Sequence, residues 1–154
     1  MPREPREHEL KRSKRLKPVE RFTDEAEREC AQRVAGAQRR LAEAERRYRE
    51  LRGYLEEYQN MFAQRARAGM GVSGMRDYQT FIARLTEGVQ AQQGTVEQLS
   101  AECERERARW LEAAVRRSAV GKVVAQALSE DRKAEERQMQ REIDERAQRV
   151  QGAQ

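Results

Sequence analysis

The residues able to do chemistry in this chain are few and badly spaced for it. A single histidine, His8, stands near the start, and the two cysteines, Cys30 and Cys103, lie far apart. One imidazole and two thiols fall short of the four ligands of a structural zinc site, and two thiols make no disulfide framework. Reduced thiols are the expectation. No Ser/His/Asp or Cys/His arrangement is expected to form around a histidine confined to the beginning of the chain. The glycine-rich stretch Gly69–Arg76, GMGVSGMR, lacks the Gly-Lys-Ser/Thr ending that holds phosphates and magnesium. Carboxylates are abundant, but on helical sequence they are expected in water or in i,i+4 pairs with arginine. The reading is of a protein that is not an enzyme, with no cofactor and no metal.

What stands out is a different kind of residue. Between Leu55 and Leu85 lie three glycines (Gly69, Gly71, Gly74), three methionines and four aromatics, in a chain otherwise dominated by Arg, Glu, Gln and Ala. The elements that hold this cluster follow from composition and period. The 154 residues are 38% charged, 37% hydrophobic and 5% aromatic, too few large apolar groups for a compact globular core. The dominant residues are strong helix formers, and the three prolines, Pro2, Pro5 and Pro18, all fall early. Long helices that bury one narrow stripe are the physical solution.

The stripe can be traced. Val34, Ala37, Leu41, Ala44, Tyr48, Leu51, Leu55, Tyr58 and Phe62 alternate steps of three and four, an a/d seam. Upstream, Phe22, Ala26, Cys30 and Val34 step by four, which predicts a local unwinding. A second seam runs through Tyr78, Ile82, Leu85, Val89, Gln92, Val96, Leu99, Cys103, Glu106, Trp110 and Ala113. It loosens through Val120, Val124, Leu128, Met139, Ile143 and Val150. The pattern predicts an all-α fold: two long helices forming an antiparallel coiled-coil hairpin, with an extended C-terminal helix. Residues 1–17 read as a basic flexible tail and 18–150 as the coiled coil. Helix one spans about 19–67, the loop 68–75 and helix two about 76–150. Helix two is the longer, so roughly its last thirty residues lack a partner within the chain unless the basic tail folds back on them.

If the turn centres near Gly69 and Met70, the numbers of facing residues add to about 139. Trp110 then faces Cys30 with Ala26 nearby, and Glu106 lies level with Arg33. Cys30 and Cys103 are out of step by ~9 Å along the axis, too far for a disulfide. Tyr54 and Phe81 fall at g positions, outside the seam and on one side of the hairpin, about one turn apart. An exposed aromatic patch near the loop is the expectation, of the kind that anchors a partner.

The net charge is +5, and from Met1 to Arg21 eight bases stand against four acids. Such a tail suits nucleic acid, an anionic membrane surface or an acidic protein groove, or is simply solvated. No apolar run reaches the ~18 residues of a membrane span, and the start has no secretion signal.

The run YLEEYQNMF…GMGVSGMRDYQTFIARL, with RWLEAAVRR and EDRKAEERQMQREIDERAQR after it and RLKPVERFTDEAERECA before it, resembles the FliJ family over nearly the whole chain. That resemblance implies a component of bacterial flagellar type III export, needed for flagellum biogenesis and motility. It implies an antiparallel coiled coil like the central stalk of rotary ATPases. The implied partners are the hexameric export ATPase FliI, whose assembly and activity it promotes, the export-gate protein FlhA, and export chaperones. No nucleic acid is expected. The implied location is the cytoplasm, peripheral on the inner membrane through those partners. Carried over by motif, the gate-binding residues are Tyr54, Tyr58, Phe81 and Leu85. The heptad frame places Tyr58 and Leu85 in the seam. This chain has Gly88 where relatives carry larger or polar groups. By analogy the ATPase-binding region takes in Pro18 and Phe22 with Val120, Val124 and Leu128. The alternative is a scaffolding or nucleic-acid-associated coiled coil that uses its basic tail, and it leaves the loop-end aromatics unexplained.

Overall fold

The computed structural model describes residues 11–153. It is all-α, with two long helices packed against each other: α1, Arg12–Ala68, and α2, Val72–Gly152. Among the described residues there is no strand. Gly69, Met70 and Gly71 connect the helices. Gly69 takes φ 98, the left-handed angle that ends a helix and that a side chain resists. The Met75 amide donates to the Gly71 carbonyl at 3.1 Å, which opens α2. The expected loop of 68–75 therefore shortens, and Gly74 lies inside α2. Its absent Cβ leaves room for Met70, whose Cγ is 3.2 Å from where that carbon would sit. Arg65 and Arg67 stand in the last turn of α1, where positive charge suits the helix dipole.

The chain forms two compact units. One is Cys30–Trp110, which contains the loop. Its buried residues are Ala37, Ala44, Val89 and Cys103. All are small, because two helices with water on their outer sides exclude solvent completely only where their backbones approach closely. Every expected seam residue from Val34 to Phe62, and from Tyr78 to Glu106, is buried or half-buried. The Gln92 side-chain amide donates to the Ala44 carbonyl at 3.1 Å, and Arg40 bridges to Glu102 at 2.8 Å. These contacts fix the register across the pair. Two expectations are corrected here. Trp110 lies at the exposed edge, 37% accessible, because an indole is too large for a seam this narrow. Glu106 does not meet Arg33. It pairs with Arg109 of its own helix at 3.4 Å, and its Oε2 is buried without a hydrogen-bond partner.

The other unit combines residues 11–29 with 111–153. Ser13, Ala113, Val124 and Ala127 are buried in it. Its seam is largely polar. Arg117 donates to Asp24 at 2.9 Å and to Glu27 at 3.4 Å. Ser13 donates to Asp131 at 2.5 Å, Arg12 bridges to Glu130 at 3.4 Å, and Lys11 pairs with Glu135. The expected steps of four from Phe22 hold only in part: Phe22 is 72% exposed, while Ala26, Cys30 and Val34 are half-buried. Leu16, Glu20, Thr23, Glu27 and Cys30, all half-buried, follow an unbroken alternation of four and three, with Asp24 and Ala26 half-buried beside them. Likewise Ala127, not Leu128, turns inward.

The same contacts explain why α1 starts at Arg12 and not near residue 19. Pro18 lies within the helix and removes one backbone bond. Pro18 and Lys14 are both exposed, so water can meet the carbonyl that this frees. Partners on α2 hold Lys11, Arg12 and Ser13. Of the expected tail, residues 1–10 lie outside the described residues. Past Glu135 no hydrogen bond or ion pair to α1 is found among the described residues, and every position from 132 to 153 is exposed.

Candidate functional site

The aromatic cluster beside the loop is the most chemically distinctive surface of the unit Cys30–Trp110. α1 presents Tyr54, Tyr58, Met61 and Phe62 at successive turns, and α2 presents Asp77, Tyr78 and Phe81. Tyr58 and Phe81 stack with centroids 4.5 Å apart at 51°, and Phe62 and Tyr78 with centroids 5.9 Å apart at 39°. The Arg65 guanidinium lies 5.6 Å from the Tyr78 centroid, a cation over a ring face. Tilted pairs at these distances are a favourable arrangement for aromatic quadrupoles, so the stacks add to the packing between the helices at this end. The rings are nonetheless open to water. Tyr54 is 53% and Phe81 44% exposed, and Met61 is exposed too. Tyr58, Asp77, Tyr78 and Phe81 line a shallow, almost wholly apolar notch of about 190 Å³. Beyond Leu85, which is half-buried, Gly88 leaves the surface bare, with no atom within 4 Å of a Cβ built there.

The second unit carries the other residues singled out by sequence. Pro18 and Phe22 are exposed on α1, and Leu128 is exposed on α2. Val120 is half-buried, and Val124 is buried against α1. A shallow cavity of about 350 Å³ is lined by Glu20, Asp24, Arg117, Gly121, Val124 and Leu128, among others.

Among the described residues no group of His, Cys, Asp or Glu could hold a metal ion, and both cysteines are free. No helix among them is long and apolar enough to cross a membrane. What the arrangement can do is bind. Compared with known families, residues 12–153 match the model described as flagellar FliJ protein. The chain belongs to the FliJ family. No curated protein and no solved structure matches it. Membership makes this a flagellar, export-related protein of a non-catalytic family.

Within that FliJ framework the four motif residues fall close together. Tyr58 touches Phe81 directly, Tyr54 precedes Tyr58 by one turn, and Leu85 follows Phe81 by one turn. The heptad frame and the family motif had divided these residues between seam and surface. Tyr58 is half-buried and also lines the notch, and Leu85 is half-buried outside it. The second group does not behave as one surface. Val124 is part of the core, and a side chain packed against α1 is no free anchor. Sequence reasoning missed Asp77 and Arg65 as members of the loop-end cluster. Both are charged residues off the seam; Arg65 comes in by its contact with the Tyr78 ring face and Asp77 by lining the notch.

Proposed function

We propose that this chain is the coiled-coil stalk of a flagellar export apparatus. It binds the hexameric export ATPase FliI, promotes assembly and activity of the hexamer, and couples it to the export gate FlhA. Its role is structural, and association with the membrane comes through these partners. The observation that carries the reading is the pair of exposed rings, Tyr54 and Phe81, on an aromatic cluster in a chain otherwise poor in aromatics. Aromatics in a polar surround are what interface hot spots are made of. Phe81 is itself held in the stack with Tyr58, and Phe62 stacks on Tyr78 beside it. The gate-binding set is Tyr54, Tyr58, Phe81 and Leu85. On the ATPase side the exposed Phe22 and Leu128, with Pro18, form the contact region. Val120 and Val124 support it from within.

The test pairs two readouts. The double variant Tyr54→Ala, Phe81→Ala is expected to bind FlhA at least ~10-fold more weakly, with unchanged helicity and unchanged stimulation of FliI. Unaltered gate binding would overturn the gate assignment. The absence of any effect of the wild-type chain on ATP hydrolysis or hexamer formation by FliI would remove the stalk role.

A further inference from the structure

The outer side of α2 in the unit of residues 11–29 and 111–153 carries a seam that α1 does not use. Leu111, Val115, Met139 and Ile143 are between 56% and 62% exposed. They belong to a single alternation of four and three: 111, 115, 118, 122, 125, 129, 132, 136, 139, 143. Two apolar pairs therefore sit four heptads apart, with Ser118, Lys122, Ala125, Ser129, Arg132 and Glu136 between them. The α1-facing residues Ala113, Arg117, Val120, Val124, Ala127 and Asp131 occupy the other side of the helix. The outer seam is thus free to meet another helix without displacing α1.

We infer that this seam pairs antiparallel with the same seam of a second copy of the chain. The pattern is self-complementary under a two-fold axis near Ala127. Leu111 then meets Ile143 of the other copy, and Val115 meets Met139, each contact occurring twice. In the middle Ala125 faces Ser129, small against small, which lets the backbones approach. Leu128, exposed at the flank, meets its own counterpart near the axis. Along the flanks no like charges face one another: Glu112 lies beside Gln140, Ala119 beside Lys133 and Gly121 beside Glu135. One kind of like-charge approach occurs in the seam, Lys122 to Arg132, twice by symmetry, and Glu136 one turn away offsets each. An isologous contact of this kind closes on itself as a dimer and does not propagate. From Leu111 to Ile143 the seam runs ~50 Å, and a strip ~10 Å wide covers ~500 Å² per copy, ~1,000 Å² in all. That is the lower limit for a specific interface, so the dimer is weak, with a Kd on the order of 10 µM.

Sedimentation equilibrium of the full chain from ~1 to ~500 µM, bracketing that constant, tests the inference. Dimers with no larger species are expected. Val115→Glu and Met139→Glu, both at well-exposed positions that leave α2 helical, each weaken association at least ~10-fold. Val115→Glu combined with Met139→Lys places opposite charges across the axis and recovers most of it. Phe22→Glu, an exposed apolar position on α1, has no effect. A chain that stays monomeric throughout, an insensitive Val115→Glu variant, dissociation by Phe22→Glu, or failure of the charge pair to recover association each overturns it.

Discussion

At Gly69 one backbone angle decides whether the chain can turn back. Its φ of 98 lies where a Cβ collides with the following carbonyl. Gly69→Ala is expected to cost about 1 kcal/mol, read as a lower midpoint in urea with an unchanged slope. Gly71→Ala, where nothing lies within 4 Å and φ is ordinary, should cost little, so the contrast isolates the angle from the space. The glycine cluster was legible as a turn from composition alone. That one glycine carries the strain, and that Gly74 instead makes room for Met70, was not, because both depend on φ and on a neighbouring side chain. The aromatics divide in the same way. Exposure of Tyr54 and Phe81 followed from their heptad positions. The stack of Tyr58 on Phe81 did not, since a heptad frame assigns each residue to seam or surface, and rings 4.5 Å apart join the two.

The elements were read well where their seams are apolar and badly where they are polar. From Val34 to Phe62 the apolar period marks the buried face of α1 residue by residue. From Ser13 to Glu27 the same period continues, but it runs through Leu16, Glu20, Thr23 and Glu27, mostly polar, while the large apolar Phe22 stands off it and is exposed. Such a seam announces itself only through its partners: Arg117 for Asp24 and Glu27, Asp131 for Ser13. The helix start was misplaced for a related reason, since Pro18 is a strong local signal for a first turn and the polar pairing of Lys11, Arg12 and Ser13 with α2 leaves no apolar period to read. Exposed ion pairs contribute little each and weaken with salt. A proline inside a helix costs about 3 kcal/mol against alanine. Pro18→Ala is therefore expected to raise amide-exchange protection across the first turns of α1 by one to two orders of magnitude. No change there would mean that local opening is governed by the ion pairs and not by the missing backbone bond.

Across the whole molecule, the positions that water reaches least are held by alanines, valines, a cysteine and a serine: Ala37, Ala44, Ala127, Cys103, Ser13 and their neighbours. The large side chains stand at the edges. In a globular domain a substitution survey finds the big core residues intolerant and the alanines permissive. Here the ranking inverts. Tyr48, Leu51 and Leu99 sit half in water and can trade one bulky group for another. A methylene added at Ala37 or Ala127 has nowhere to go except between two backbones, and prises them apart. Selection would therefore write this fold as a record of forbidden growth: a few sites that have stayed small, spaced by threes and fours, amid surfaces free to drift.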